Sequence, residues 1–214
     1  MSELLPLFLN LTGRDVLLVG GGRVAEAKLR QLVAAGARVR VVAPAIAAEI
    51  RTAAVTIAER GFEPSDLDGA WLVVAAATPD VNRAVAQAAE PRRVFVNAVD
   101  DPANASAFLS GVVRRDGVTL AISTSGGAPG LTSLLRESLD AVLPRDLAAW
   151  VHTAREQRIV WRRDAVPMEE RKPLLLRALN HLYEVAAVHA VGSRPVPERD
   201  PSVPWLSGPE DSWL

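Results

Sequence analysis

The run Val16-Leu-Leu-Val-Gly-Gly-Gly-Arg-Val-Ala-Glu-Ala-Lys28 constrains the fold of this chain more than any other stretch. Four apolar residues read as a buried strand, three glycines follow at once, and a helix-forming run extends from Arg23 to Ala35. Gly20, Gly22 and Ala25 fit the pattern G-x-G-x-x-G/A. In that pattern the first glycine makes a tight turn, the second lets backbone approach a pyrophosphate, and the small third residue lets helix pack on strand. Free N–H groups at the helix start, around Arg23 and Val24, would face the anion. A tight glycine turn with no ligand fits the same residues, so this stretch alone leaves both readings open.

At 214 residues with 49% hydrophobic content, the chain can bury a core and hold one domain plus an appendage. A net charge of −1 gives no support to a nucleic-acid partner. Zero cysteines exclude disulfides, thiolate metal ligands and cysteine nucleophiles. The apolar runs are too short to span a bilayer, and the start lacks a basic-then-apolar signal, so a soluble cytoplasmic protein with no membrane partner is expected.

The first hundred residues alternate between strand and helix patterns. Strands are expected at Asp15–Val19, Arg38–Val42, Val55–Ala58, Trp71–Ala76 and Val94–Asn97, with helices at Arg23–Ala35, Ile46–Ala53 and Asp80–Ala89. Near-continuous apolar strands separated by helices predict an α/β fold with a Rossmann-type parallel sheet covered on both faces. Gly36 stands where a glycine ends a helix. Beyond Asp100, two strands are expected at Phe108–Arg114 and Val118–Ser123, then a glycine-rich loop and an amphipathic helix over Leu131–Val142. A further helix through Trp150–Trp161 and another over Met168–Ala190 complete a helical part, with Pro173 expected to kink or break the last one. Five of the 15 prolines fall between Val191 and Leu214, which reads as an extended, poorly ordered tail.

In open parallel sheets ligands bind beyond the C-terminal strand ends, so the residues just after each strand carry the chemistry. After the second strand comes Ala43-Pro44, where an acidic residue would normally hold a ribose hydroxyl; no arginine favours NADP there either. After the fourth, Thr78 or Asp80 would cap the next helix. After the fifth comes Asn97-Ala-Val-Asp-Asp101, whose adjacent carboxylates are candidates for proton abstraction or form an ordinary Asp-Asp-Pro turn. Ser123, Thr124, Ser125 and Gly126 precede a helix and form either an anion site or a plain N-cap. His152, His181 and His189 lack an evident third partner for a preformed zinc site. Arg158, Arg162, Arg163, Arg171 and Lys172 form a basic cluster, either a solvated face or a surface for a carboxylate-rich ligand.

Four segments together resemble the precorrin-2 dehydrogenase/sirohydrochlorin ferrochelatase family, including the N-terminal part of sirohaem synthase. They are the leader Leu5-Pro-Leu-Phe8; Gly20-Gly-Gly-Arg-Val-Ala-Glu-Ala-Lys28, similar to G-G-G-x-V-A-x-x-K; Asn97-Ala-Val-Asp100 followed by Ala105-Ser-Ala-Phe108; and Ala121-Ile-Ser-Thr124 followed by Ala128-Pro129. The family also ends its second strand with Ala-Pro. The chain departs from it at Ala128, where serine is usual, and at Ser110-Gly111, where a proline is usual.

The resemblance implies NAD-dependent oxidation of precorrin-2 to sirohydrochlorin, in sirohaem or cobalamin synthesis, and in some members insertion of Fe²⁺ into the product. It assigns Asp100 as general base, with a transient Fe²⁺ or Co²⁺ guided there and no stable metal site. Gly20, Gly22, Arg23, Val24, Ala43, Pro44 and Thr78 would hold NAD, and Ser123–Gly126 the tetrapyrrole. The implied organisation is an NAD-binding domain over 1–107, a small dimerisation segment over 108–142 that makes a homodimer, a C-terminal helical domain over 143–190 on the substrate side, and the tail 191–214. A non-catalytic NAD-sensing module is the alternative, since dinucleotide folds serve many purposes.

Overall fold

The structure, a computed structural model, describes residues 4–109 and 111–191, the last nine by their backbone alone. The expected proline-rich tail falls, beyond Val191, outside the described residues. The chain divides into two compact units, one of residues up to 114 with 119–143, the other of 115–118 with the chain from Pro144 onward.

Five strands, β1 (Asp15–Val19), β2 (Arg38–Val42), β3 (Thr56–Ala58), β4 (Leu72–Ala75) and β5 (Phe95–Ala98), form one sheet in the order β3-β2-β1-β4-β5. All four pairings are parallel, as the apolar, β-branched strands predicted. Alternation along each strand sorts side chains to two faces. One face, with Val16, Leu18, Val39, Val41, Leu72 and Val74, packs under α1 (Arg23–Ala34) and α2 (Ala48–Arg51). The other, with Leu17, Val19, Val73, Ala75, Val96 and Ala98, packs under α3 (Pro79–Ala89).

The α1 stripe that meets the sheet is Ala25, Leu29 and Leu32, spaced i, i+4, i+7 as a helix face requires. Its end is the expected glycine stop. Gly36 adopts φ +76°, its N–H donates to Val33 O, and Ala37 N–H donates to Leu32 O, a Schellman closure.

Three expectations shift. The helix expected over Ile46–Ala53 is a single turn, because Ala47 N–H donates to Gly21 O and so starts the helix only at Ala48. The strand expected from Phe108 begins at Gly111. The segment before it lies across β5, where Ser106 and Ala107 N–H both donate to Val96 O. Pro173 does not break its helix. It sits in the second turn of α6 (Met168–Val191), where the acceptor it leaves unpaired belongs to Glu169, exposed at the helix start.

Strands β6 (Gly111–Arg115) and β7 (Val118–Ile122) pair through a turn in which Asp116 and Gly117 both take positive φ. Helix α4 (Pro129–Val142) follows and buries no residue; Leu131, Leu134, Leu135, Leu139 and Val142 stand exposed along it. In the second unit α5 (Leu147–Arg163) packs on α6, with Leu147 and Trp161 buried. Among the described residues no helix is long and apolar enough to cross a membrane.

Candidate functional site

The three glycines have different reasons to be glycine. Gly20 has φ +131°, and a Cβ there would overlap the carbonyl of Ala76 at the end of β4. Gly21 is equally confined, since its Cβ would overlap the Ala45 carbonyl beyond β2. Gly22 is confined by nothing, with no protein atom within 4 Å of where its Cβ would lie. It is the N-cap of α1 and makes no side-chain cap. The first turn of α1 therefore faces open space, edged by exposed Arg23 and Val24, with the positive end of the helix dipole behind it. An anionic dinucleotide fits this arrangement. Its pyrophosphate would meet the N–H groups from Gly22 to Val24, and a side chain at Gly22 would intrude on it.

The strand register lines up the rest of the rim. Val19 pairs with Ala75, and Ala75 with Ala98. Gly20, Ala76 and Val99 therefore lie in a row, and Asp100 comes one residue later. Two strand spacings separate the glycine turn from the Asp100 segment, about 10 Å. Ala43 is buried and Pro44 exposed beyond β2, while Thr78 is the exposed N-cap residue of α3. Neither candidate caps α3 with its side chain. Asp80 pairs with Arg83 at 3.2 Å, and the buried Asn82 accepts Ala77 N–H through Oδ1.

Asp100 is exposed and has φ +56°, the left-handed region that non-glycine residues rarely adopt, at a cost of about 1–3 kcal/mol. Asp101 is occupied, accepting a hydrogen bond from Asn104 at 2.8 Å. Asn97, just upstream, is buried; its Nδ2 donates to Ala107 O, and its Oδ1 has no hydrogen-bond partner. Lys28 stands on α1. It is half-buried there, and withdrawal from water pulls its ammonium below the usual lysine range, partly opposed by the field of Asp100. A sequence signal for it existed: it stands three residues after Ala25, inside the apolar stripe.

The Ser123–Gly126 loop lies against this rim. The Cβ position of Gly126 is 3.2 Å from the Pro102 side chain and 3.7 Å from that of Phe108. Thr124 holds the loop together, its hydroxyl accepting Ala128 N–H and lying 3.0 Å from that of Thr132. Ser123 Oγ accepts Ser125 N–H, and Ser125 and Gly126 take φ of +54° and +78°.

The histidines and the basic cluster belong to the second unit, apart from His189, whose side chain lies outside the described residues. His152 pairs with Glu156 at 3.4 Å, Arg163 with Asp164, and Arg171 donates to Val166 O. Among the described residues no group of three or more His, Asp or Glu could hold a metal ion.

Residues 7–111 match a family model described as putative NAD(P)-binding. The siroheme synthase of Citrobacter koseri is 43% identical over 173 residues, 78% of this chain and 38% of that protein. Siroheme synthase 1 of Aeromonas salmonicida is 46% identical over 154 residues, 69% of this chain and 32% of that protein. A solved structure titled SirC, precorrin-2 dehydrogenase, superposes with TM-score 0.64 at 26% identity, covering 81% of this chain and 88% of that one. The chain belongs to the precorrin-2 dehydrogenase family. It spans about a third of the length of the siroheme synthases it matches. The structural match covers most of both chains.

Proposed function

We propose that this chain oxidises precorrin-2 to sirohydrochlorin with NAD⁺, a step toward sirohaem or cobalamin. The observation that carries the reading is Asp100, an exposed carboxylate on a left-handed backbone at the sheet rim, in line with the glycine turn. The reaction removes one hydride and one proton from the tetrapyrrole. NAD⁺, when bound, supplies the hydride acceptor. Gly20 to Val24 would hold its pyrophosphate, Ala43-Pro44 would flank the adenosine side, and Thr78 would border it beyond β4. Ala43-Pro44-Ala-Ile46 offers no arginine for a 2′-phosphate, which favours NAD over NADP.

Asp100 takes the proton as general base. The tetrapyrrole lies against Ser123–Gly126, whose exposed backbone at Ser125 and Gly126 meets its carboxylates. The exposed apolar face of α4 is the surface on which two copies pair as a homodimer. Insertion of Fe²⁺ or Co²⁺ as substrate would use the same carboxylate to receive protons from the pyrrole nitrogens.

Incubation with precorrin-2 and NAD⁺ should form NADH stoichiometrically with sirohydrochlorin, and Fe²⁺ or Co²⁺ added afterwards reads the metal-insertion step separately. Bound NAD⁺ with no NADH formed would leave a sensing module instead. Asp100→Asn should abolish turnover while NAD⁺ binding stays intact. Wild-type turnover in that variant would move the base elsewhere, Asp101 being the nearest carboxylate.

A further inference from the structure

We propose that Asn97 and Ser106 are positioning residues for Asp100: together they close the neck of the loop that carries it and hold the carboxylate where it takes its proton. The inference rests on the dehydrogenase reading above and adds two residues to it. Its basis is the hydrogen bonding along β5. That strand is the last of its sheet, so one of its edges has no neighbouring strand, and the returning chain fills it. Val96 N–H donates to Ser106 Oγ at 2.9 Å, and Val96 O accepts Ser106 N–H at 2.9 Å and Ala107 N–H at 2.8 Å. One residue on, Asn97 Nδ2 donates to Ala107 O at 3.0 Å. The two side-chain bonds each join residues ten apart, and Asp100 lies on the loop between them.

Packing alone asks for neither residue. Asn97 is level with Val74 of β4 and so shares its face of the sheet, where Val99 and Ala107 also pack. A valine would fill that place. The chain instead buries an amide whose Oδ1 has no hydrogen-bond partner, a cost in stability set against what its Nδ2 end holds. Ser106 is exposed, yet its hydroxyl turns back to the strand. Within the loop, Val99 N–H donates to Ala75 O at 2.9 Å and Asn104 Nδ2 to Asp101 Oδ2 at 2.8 Å, so the residues on either side of Asp100 are tied as well. Asp100 itself keeps φ +56°, a backbone that persists in a non-glycine residue only where its surroundings determine it. A base misplaced by about 1 Å can cost about a hundredfold in rate, so a loop fixed at both ends is what a proton acceptor on it needs.

Steady-state kinetics with precorrin-2 and NAD⁺, with NAD⁺ binding and thermal melting measured in parallel, test the assignment. Asn97→Val suits the apolar face, so its Tm should stay within about 3 °C of wild type. Its kcat should fall about tenfold or more, while KM for precorrin-2 and the Kd for NAD⁺ each move less than about twofold. Ser106→Ala should lose kcat in the same way, and Ser106→Thr, which keeps the hydroxyl, should restore most of it. Unchanged kcat in Asn97→Val, or a loss in Ser106→Ala that threonine does not rescue, would overturn the proposal.

A second readout needs no turnover. Amide hydrogen exchange over residues 97–107 should quicken in Asn97→Val and in Ser106→Ala, with the amides of β1 and β4 as protected as in wild type. Unchanged exchange would refute the closed neck whatever the activity. Faster exchange in these variants, with a wild-type protein that makes no NADH, would refute the dehydrogenase reading and leave the closed neck standing.

Discussion

Alanine at each of the three glycines separates what the fold needs from what a ligand needs. At Gly20 a Cβ overlaps the Ala76 carbonyl and must also adopt φ +131°, and at Gly21 it overlaps the Ala45 carbonyl. Both obstacles are backbone of neighbouring strand ends, which cannot rotate away as a side chain could. Overpacking and backbone strain together should cost about 2–4 kcal/mol in Gly20→Ala and somewhat less in Gly21→Ala, where φ is not positive. For a chain of this size that lowers Tm by about 5–15 °C.

Gly22→Ala is different. The methyl meets nothing within 4 Å, and φ at Gly22 is −94°, open to any residue. Loss of unfolded-state freedom favours alanine by about 0.4–1 kcal/mol, and a weaker N-cap takes back a similar amount. Its Tm should stay within about 2 °C of wild type. A pyrophosphate lying on the same backbone would meet that methyl, at about 1–3 kcal/mol, a 5- to 150-fold weaker Kd for NAD⁺. Melting curves with and without NAD⁺, together with calorimetric titration, measure both quantities. A Gly22→Ala protein that binds NAD⁺ with wild-type affinity would refute the placement of the cofactor at the start of α1.

Two other outcomes rest on the hydrogen-bond geometry. Asp66 is buried and held by two bonds from Arg60 and one from Glu63 N–H, which keep its carboxyl below the usual carboxylate range. A depressed folded pKa adds stability that is full above the unfolded value near 4 and is lost as pH falls through the folded value, so Asp66→Asn should cost about 1–3 kcal/mol at pH 7 and little in strong acid. Urea unfolding as a function of pH checks this; an equal loss at pH 2 and pH 7 would contradict it. Thr124→Val removes the hydroxyl that receives Ala128 N–H and touches Thr132, so the loop against Pro102 loosens. It should raise KM for the tetrapyrrole several-fold and leave the Kd for NAD⁺ unchanged; the reverse pattern would detach this loop from the substrate.

The sheet was legible because its signals are local. Val16 to Val19 is apolar without interruption, glycine comes next, and the helix after it carries its stripe at 25, 29 and 32, so strand, turn and packing face can be read in a dozen residues. The rim was legible by topology, since parallel strands bring the residues at their C-terminal ends to one edge of the sheet. The features that escaped depend on contacts between segments distant in sequence. Asp66 reads as a loop aspartate until Arg60 and Arg40 converge on it. The buried role of Asn82 rests on its side chain turning back to Ala77 across the start of α3.

The opening motif divides by what packing explains. Packing accounts for Gly20, Gly21 and Ala25: two would overlap neighbouring carbonyls if they carried a side chain, and the third is buried against the sheet. Packing does not account for Gly22, which leaves space unfilled. Gly22 faces the open end of α1, where an anion would sit. What packing leaves unexplained at Gly22 is what an anion at the start of α1 would explain, and the Gly22→Ala titration decides it.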